Sequence, residues 1–410
     1  MRWVHFVGDF EPSVSSGIGA FASNLVLAQI NRGENVAVVT PWGMTEGSST
    51  IHGGHCMAWP LDGLGDARRP VSIALDSCDM LYWSARLTGS DEDVVVCHDI
   101  FSVPAAISYA DLKQSPTIFM KHSYDGFSSR EGVATQNSPT DALKHRLTEL
   151  AVLRSNVTIS VSRYLFELMQ EHYSVPPGNH SVLHGAGFDK QTVESWAGAT
   201  GLDECGRHHR IVFAGRLKSN KGWDIALEAV EGLGATNVEL VIAGDGPDLP
   251  YILAAVERSR HGRKISYVGH LGKQQLCSLY GSASICVFPS REEAFGLAIA
   301  EALSLGCCVV AADVGGVGEQ IEDGVNGILV LPGSAADLRR ALDDLIENPN
   351  KIQLLGSAAR VRSSKHTWVD VADGLSQVMH SIRRQPAGLA DPGRKLSTQE
   401  VPSLNGAEVL

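Results

Sequence analysis

Two carboxylates stand eight positions apart in the stretch from Ser290 to Glu301, which reads SREEAFGLAIAE. The pattern predicts a turn that carries Glu293 and a helix that begins near Phe295 and carries Glu301. The N–H groups at the start of a helix attract an anion such as a diphosphate. Because a carboxylate in the same turn would repel that anion, we expect Glu293 to face a sugar hydroxyl. Glu301, two turns deeper, would reach a ribose diol.

A solvated glutamate pair on an amphipathic helix is the ordinary alternative, and the neighbouring segments decide between the two. A predicted strand at 210–214 leads into GRLKSNKG, which places Arg216 and Lys221 in one turn. A forked guanidinium and a flexible ammonium can clamp a diphosphate without a divalent metal. Glycine turns follow the next two predicted strands, at Gly244 and Gly269. One cationic turn is more often a solvated loop, but a series of such turns at successive strand ends is hard to explain that way.

The first half of the chain offers two glycines and two histidines as candidate ligands. Gly17 and Gly19 stand between a predicted strand and a helix, where they form either a phosphate-binding turn or a plain tight turn. His98 and His122 each end a predicted strand, and ligands of open α/β sheets bind beyond the carboxyl ends of strands. An imidazole placed there suits proton transfer, and the alternative is a histidine hydrogen-bonded to a loop.

Short apolar strands alternate with helical segments along most of the chain, which predicts an α/β fold of two doubly wound, Rossmann-like domains facing across a cleft. We expect the linker between them within 190–209. Three segments lack a clear pattern: 43–70 is predicted to be an irregular surface excursion, 126–145 a mobile flap, and 386–410 a disordered tail.

The composition limits the partners and the cellular setting that we expect for this protein. The chain has 410 residues and a net charge of −12, which argues against a nucleic-acid partner and against an anionic membrane surface. Eight cysteines form no C-x-x-C pair, so they indicate buried thiols in a reducing, cytoplasmic setting. No apolar run is long enough for a membrane span. We expect no bound cofactor and no metal site, and we interpret the acidic triplet 91–93 as a charged loop before a strand.

At this point the chain resembles the family-four retaining glycosyltransferases of the GT-B fold (glycosyl transferases group 1) over about residues 1–385. The motifs that carry the resemblance are Gly215-Arg216-Leu217 with Lys221-Gly222, Gly244-Asp245-Gly246-Pro247, Val268-Gly269, and Glu293-Ala-Phe-Gly-Leu-x3-Glu301. The resemblance implies an acceptor-binding domain at 1–195, a nucleotide-sugar domain at 205–365, and a helix at 366–385 that returns to the first domain.

The resemblance also implies roles for individual residues. Arg216 and Lys221 would hold the donor diphosphate and neutralise the leaving group, while Glu293 would contact the transferred sugar. His122 would lie near the reacting sugar. The remaining binding residues would line the base, ribose, diphosphate and acceptor: Gly17, Gly19, Gly244, Val268, Gly269, Phe295, Gly296, Leu297 and Glu301. His98 is a further candidate for substrate binding, from its place at the end of a strand.

The implied reaction is retaining transfer without a metal. The sugar would leave from the face at which the acceptor attacks, and the departing phosphate would help to deprotonate the acceptor hydroxyl. Electrostatic stabilisation of the leaving group would then do most of the catalysis. One segment departs from the family pattern, because HGAGFD at 184–189 replaces the usual Asn-Gly-Val-Asp. The departure leaves the role of that segment open.

Three functions stay open. The first is transfer of a hexose or amino-hexose, from a UDP-linked donor, to a small polar acceptor. The acidic first half, about −7 over 1–190, suits a cationic aminocyclitol of antibiotic biosynthesis. A polysaccharide, lipid or thiol pathway is the alternative. The second is a nucleotide-sugar epimerase or hydrolase of the same fold. The third is a non-enzymatic sugar-nucleotide sensor, and the retained cationic and acidic site residues argue against it.

Overall fold

The structure is a computed structural model, and it describes residues 1–10, 16–40, 47–51, 54–58, 80, 84, 87, 92–124, 139–173, 175–176, 178–196, 209–259 and 264–384. The chain divides into two compact units. The first comprises 1–184 with the segment that begins at Trp368, and the second comprises 185–367.

The first unit is built on one mainly parallel sheet. Eight strands are described: β1 Arg2–Phe6, β2 Asn35–Thr40, β3 Gly47–Ile51, β4 Gly54–Ala58, β5 Asp93–Cys97, β6 Thr117–Lys121, β7 Val157–Ser160 and β8 His180–Val182. Their order is β3-β4-β2-β1-β5-β6-β7-β8, and every pair is parallel except β3 with β4. Strands β1, β5, β6 and β7 are buried along their whole length. Apolar runs such as Val94–Val96 are fully buried, as parallel strands covered on both faces require.

The helices of the first unit cover this sheet. They are α1 Gly17–Asn31, α2 Val103–Lys113, α3 Pro139–Arg154, α4 Arg163–His172 and, at the end of the described chain, α12 Trp368–Arg384. Serine caps fix where two of them begin. Ser16 Oγ accepts from the Gly19 N–H and Ser162 Oγ accepts from the Leu165 N–H, which satisfies donors that a helix start leaves unpaired.

The second unit has a parallel sheet with six strands in its described part: β9 His209–Ala214, β10 Val238–Ala243, β11 Lys264–Tyr267, β12 Ile285–Phe288, β13 Cys308–Ala312 and β14 Ile328–Val330. The order is β11-β10-β9-β12-β13-β14. Its helices are α5 Lys190–Trp196, α6 Trp223–Glu231, α7 Leu249–Ser259, α8 Lys273–Gly281, α9 Leu297–Ser304, α10 Ala335–Glu347 and α11 Pro349–Ser363. Two separate apolar clusters pack on the two faces of the sheet.

Three expectations about elements need correction. The segment 43–70 is not simply irregular, because it contains the hairpin of β3 and β4, and β4 extends the sheet beside β2. The start of the expected linker is the helix α5, capped by Asp189, which accepts from the Thr192 N–H at 2.7 Å. Helix α11 was not predicted. The expected tail and most of the expected flap lie outside the described residues.

Candidate functional site

In the second unit the candidate site lies where the direction of sheet assembly reverses. Strand β9 is the first of the unit, β10 and β11 follow on one side, and β12 to β14 follow on the other. Open α/β sheets bind ligands outside the carboxyl ends of the strands at this switch point. The turn after β9 carries Lys221 and the turn after β12 carries Glu293, so the topology brings together two predicted site residues distant in sequence.

Lys221 and Glu293 form an ion pair at this point. Lys221 Nζ lies 2.6 Å from Glu293 Oε2, and both side chains are partly buried. Ser290 Oγ also donates to Glu293 Oε2, at 3.4 Å. A charge-assisted bond of this length fixes the direction of both side chains. Lys221 can therefore present its positive charge to a phosphate beside the Glu293 carboxylate.

The cationic turn and the carboxylate turn are bonded to each other along their backbones. Arg291 N–H donates to the Asn220 carbonyl at 2.8 Å, and the Arg291 guanidinium binds the Ser219 carbonyl and the Asp224 carboxylate. Gly222 has φ 71°, and a Cβ there would lie 1.9 Å from the Pro289 carbonyl oxygen. These contacts fix the positions of the two turns relative to each other. Sequence reasoning missed Arg291, whose only signal was its place beside Ser290.

Arg216 lies in the same cationic turn but is arranged differently. Its side chain is exposed and makes no ion pair within the described residues, whereas the neighbouring Leu217 is fully buried. Leu217 anchors the turn, because its N–H donates to the Asp245 carbonyl and its carbonyl accepts from the Asp248 N–H. Leu217 therefore fixes the backbone next to Arg216, and the exposed guanidinium can contact a phosphate.

Glu301 lies on α9 and is nearly fully buried, with 9% of the residue exposed. Burial raises the pKa of Glu301 to about 7, against a smaller opposing effect of the Lys273 charge. A carboxylate of this kind changes its protonation near neutral pH, so its ability to accept hydrogen bonds from a diol depends on pH. The raised pKa of Glu301 could not be predicted from its spacing from Glu293.

The turn before α9 contains the backbone donors that the sequence predicted. Gly296 is the N-terminal cap at φ 93°, Phe295 is buried before it and Leu297 opens the helix. The first N–H groups of a helix have no partner within the helix. Gln320 holds this turn, because its side-chain amide donates to the carbonyls of Phe295 and Gly296. Sequence reasoning missed Gln320, which lies in an irregular segment with no motif.

The glycine turns after β10 and β11 are bonded to each other. Gly244 N–H donates to the Gly269 carbonyl at 2.8 Å, and Tyr267 Oη donates to the Gly244 carbonyl at 2.9 Å. Both glycines have positive φ, 134° and 84°, which side chains rarely adopt. Val268 is 45% exposed beside Gly269, where a Cβ would meet nothing within 4 Å. A flat ring therefore has room against this strand end.

The segment that departs from the family pattern packs against α9. A Cβ on Gly187 would lie 2.3 Å from the Ala300 carbonyl oxygen, and Phe188 N–H donates to Ser304 Oγ at 3.0 Å. Ala300 and Ser304 flank Glu301. This segment consequently supports the helix that carries the candidate ribose ligand.

In the first unit the switch point lies between β1 and β5, and three histidines meet there. His98 Nε2 lies 2.8 Å from His5 Nδ1, and His98 Nδ1 lies 3.2 Å from His122 Nε2. The rings stack with interplanar angles of 20° and 24°. Burial lowers the pKa of His98 well below its ordinary value, and the neighbouring imidazoles lower it further. Burial also lowers the pKa of His5 to about 4.

His98 is 1% exposed, and its ring lies between the other two imidazoles. A contact of His98 with the substrate stays a prediction. His122 is partly buried and is the member of the three that lies nearest solvent. His5 was missed altogether, because a histidine inside an apolar strand has the appearance of a core residue.

Helix α12 supports His122 through an aromatic side chain of α1. Phe21 packs edge-on against the His122 ring, with centroids 4.7 Å apart, and edge-on against Trp368 at 4.9 Å. Arg32 on the turn after α1 forms an ion pair with Asp373 of α12. Helix α12 therefore stabilises the position of Phe21, which packs against the His122 ring.

The glycines at the start of α1 have different surroundings. A Cβ on Gly19 would lie 2.5 Å from Asp9 Oδ1, whereas a Cβ on Gly17 would meet nothing within 4 Å. Asp9 accepts from the N–H and the hydroxyl of Ser16. A carboxylate thus already lies against this helix start, which favours Gly19 as a close-packing position over a position in contact with a diphosphate.

The acidic triplet contains a structural carboxylate. Asp93 binds Arg2 through two contacts of 3.0 and 2.9 Å and accepts from Tyr109 Oη at 2.6 Å, all buried. Among the described residues no group of three or more His, Cys, Asp and Glu side chains is arranged to hold a metal ion. Within the same ranges no helix combines the length and the apolar character needed to cross a membrane.

Two family models match the chain. Glycosyltransferase Family 4 matches residues 15–186, and Glycosyl transferases group 1 matches residues 205–362. Glycogen synthase of Mycobacterium tuberculosis is 26% identical over 94% of this chain and 95% of its own. A D-inositol 3-phosphate glycosyltransferase of Corynebacterium aurimucosum is 27% identical over 78% and 79%. The α-D-kanosaminyltransferase of Streptomyces kanamyceticus is 27% identical over 42% and 45%.

Solved structures resemble the whole chain. The Anabaena protein HepE, in complex with UDP and glucose, has a TM-score of 0.70 at 17% identity and covers 93% of this chain and 100% of its own. Sucrose-phosphate synthase from Thermosynechococcus elongatus has a TM-score of 0.75 at 16% identity, over 93% and 99%. The predicted α/β fold of two Rossmann-like domains is confirmed. The chain belongs to the group 1, family 4 glycosyltransferases of the GT-B fold.

Proposed function

We propose that this glycosyltransferase moves a hexose or amino-hexose from a UDP-linked donor to a hydroxyl of a small polar acceptor, with retention of anomeric configuration and without a metal. The observation that carries the proposal is the Lys221–Glu293 ion pair at the switch point of the second unit, flanked by the Gly244, Gly269 and Gly296 turns. The choice of a UDP-linked donor is supported by the HepE complex, which contains UDP.

The second unit offers a separate group for each part of the donor. Arg216 and Lys221 would bind the diphosphate, and their charges would stabilise it as it leaves. Glu293, already oriented by Lys221 at 2.6 Å, would accept from a hydroxyl of the transferred sugar. Glu301 would bind the ribose diol, and Val268 with Gly269 would border the base.

The first unit would serve the acceptor. His122, following β6, would contact the reacting sugar or the attacking hydroxyl. The phosphate leaving from the same face would take the hydroxyl proton, so no side chain needs to act as a nucleophile. Gly17 and Gly19 would border the acceptor at the start of α1. This assignment makes residues 1–195 the acceptor domain and 205–365 the donor domain, with 366–385 completing the first.

The acceptor we propose is an aminocyclitol of antibiotic biosynthesis. Residues 1–190 carry 13 Lys and Arg against 20 Asp and Glu, a balance that favours a cationic acceptor over a phosphorylated one. The inositol 3-phosphate relative is named for a cyclitol, and the kanosaminyltransferase relative is named for the transfer of an amino sugar, which supports an amino-hexose as the transferred group. An α-glucan is the second candidate, since the glycogen synthase relative matches over 94% of the chain.

The experiment is a screen of UDP-, ADP- and GDP-sugars, read by released nucleotide, with no acceptor, with 2-deoxystreptamine, with D-inositol 3-phosphate and with maltooligosaccharides. We expect UDP release that depends on the aminocyclitol, persists in a chelator and yields an α-linked product from an α-linked donor. Transfer to maltooligosaccharides alone would establish the glucan candidate. Conversion of donor to an isomer without acceptor would identify an epimerase instead.

Two variants test the site within the same assay. Lys221→Ala and Glu293→Ala should each lower kcat by roughly 10²-fold or more, because each removes a preoriented charge from the reacting centre. Lys218→Ala is the matched control, since Lys218 is an exposed lysine of the same turn with no assigned role. Wild-type turnover by Lys221→Ala would refute the assignment.

A further inference from the structure

The turn that carries Lys221 is short and has no buried residue. Residues Ser219–Lys221 form a single stretch of 3-10 helix between β9 and α6. Lys221 N–H donates to the Lys218 carbonyl at 2.8 Å, and Gly222 N–H donates to the Ser219 carbonyl at 3.1 Å. A segment with so little burial holds one conformation only where other elements bind it. The position of Lys221 therefore depends on contacts from outside the turn.

Arg291, in the turn after β12, supplies two of these contacts. Its guanidinium Nη1 donates to the Ser219 carbonyl at 2.6 Å, and its backbone N–H donates to the Asn220 carbonyl at 2.8 Å. A peptide unit is planar, so the Asn220 carbonyl lies in one plane with the N–H and the Cα of Lys221. By binding that carbonyl, Arg291 fixes the point from which the Lys221 side chain begins.

Asp224, in the first turn of α6, orients the Arg291 guanidinium. Arg291 Nη1 and Nη2 donate to the two Asp224 carboxylate oxygens at 2.8 and 2.7 Å, and such paired bonds fix the plane of the guanidinium. The hydrogen bond from Arg291 lowers the pKa of the Asp224 carboxyl, so this carboxylate is ionised at neutral pH. Both side chains are partly exposed, and an ion pair at the surface contributes little to stability. The arrangement therefore serves orientation more than stability.

The turn that carries Arg291 binds Lys221 at both ends of the side chain. Arg291 binds the backbone just before Lys221, and Glu293, two residues after Arg291, binds the Lys221 ammonium at 2.6 Å. A lysine side chain is flexible, so its charge has a defined place only when both ends are fixed. The carboxylate turn therefore sets the place of the ammonium group.

We propose that Arg291 is a positioning residue for donor binding: it fixes the backbone of the Ser219–Lys221 turn, so that the Lys221 ammonium lies where the donor diphosphate binds. The Arg291 guanidinium does not itself bind the donor in this proposal, because a carboxylate and a carbonyl already engage it. The proposal rests on the role of Lys221 given above. It follows that Arg291 matters for the donor only while Lys221 is present.

Calorimetric titration with UDP, in a double-mutant cycle, tests this dependence. Arg291→Ala should lower the UDP affinity by roughly tenfold in the protein that keeps Lys221, and by less than about twofold in Lys221→Ala. A residue that supported the whole site, or that contacted the phosphate itself, would give the same loss in both backgrounds. Arg340→Ala is the control. It removes the ion pair of an exposed arginine with Asp337 on α10, and it should keep the wild-type affinity.

Two further variants separate position from charge. Arg291→Lys keeps the positive charge but lacks the planar fork that joins a carboxylate to a carbonyl, so the UDP affinity should fall as far as in Arg291→Ala. Asp224→Ala leaves the contact of Arg291 with Ser219, so it should give a smaller loss, again only while Lys221 is present. Thermal unfolding checks that each variant is folded at the temperature of the titration.

Equal losses for Arg291→Ala in the two backgrounds, or wild-type affinity in Arg291→Lys, overturn the proposal. An unchanged UDP affinity in Lys221→Ala alone would instead refute the assignment of Lys221 to the donor, and the role of Arg291 with it. The titration contains neither sugar nor acceptor, so it decides the role of Arg291 even if the proposed acceptor is wrong.

Discussion

At the scale of single residues, Glu301, the proposed ribose ligand, would make donor binding depend on pH. Burial raises the pKa of Glu301 to about 7, so near neutrality part of the enzyme carries a protonated carboxyl there. A ribose diol donates hydrogen bonds, and the ionised form is the better acceptor. We therefore expect the affinity for UDP-sugar to rise with pH through about 7, and to fall at most tenfold for each pH unit below it.

Donor affinity measured by calorimetry from pH 5.5 to 8.5 checks this expectation. The UDP-sugar is the correct ligand, because the terminal phosphate of free UDP itself titrates near pH 6. Glu301→Gln should abolish the dependence and lower affinity at high pH by roughly tenfold. Lys273→Met should move the midpoint upward, since the Lys273 charge lowers the pKa of Glu301. A pH-independent affinity in the wild type would exclude Glu301 as the ribose ligand.

At the scale of elements, the turn after β9 depends on one glycine. Gly222 has φ 71°, and a Cβ there would lie 1.9 Å from the Pro289 carbonyl oxygen. Gly222→Ala must strain the backbone and separate the two turns, so it should lower the free energy of unfolding by at least about 2 kcal/mol. Donor affinity should fall with it, because Lys221 is the preceding residue.

Gly234→Ala is the control in the same unit, since a Cβ at Gly234 would meet nothing within 4 Å and its φ is not positive. That change should stay within about 0.5 kcal/mol of the wild type. Urea unfolding of both variants, followed by donor titration, provides the comparison. Equal stability of the two variants would show that the turns are not coupled as described.

Individual helices and strands also show which parts of the fold could be predicted from the sequence. Helices α4 and α6 begin at positions that local residues mark, because Ser162 caps α4 and the turn that ends at Gly222 precedes α6. Helix α11 was not predicted, because a single residue separates it from α10 and its buried residues do not form a clear helical pattern. The β3–β4 hairpin escaped because its glycines and serines have no strand periodicity.

At the scale of the whole molecule, the sequence could indicate residues of the candidate site but not their contacts. Lys221 and Glu293 were both named, but their ion pair depends on β12 lying beside β9, which local patterns do not encode. The contact between His5 and His98 likewise depends on the register of β1 and β5. His5 pairs with Val96, and His98 lies two residues further on the same face of the sheet.

The division into two units predicts a division of labour. The proposed donor ligands belong to the second unit, whereas His122 belongs to the first. His122→Ala should therefore leave the affinity for UDP-sugar within about twofold of the wild type and lower kcat by roughly 10²-fold or more. Lys221→Ala should lower both the donor affinity and kcat, because the Lys221 charge contacts the donor before and during the reaction. Calorimetric donor titration beside steady-state kinetics distinguishes the two patterns. A tenfold loss of donor affinity in His122→Ala would mean that the donor also depends on the first unit, and the assignment of His122 to the acceptor side would have to be abandoned.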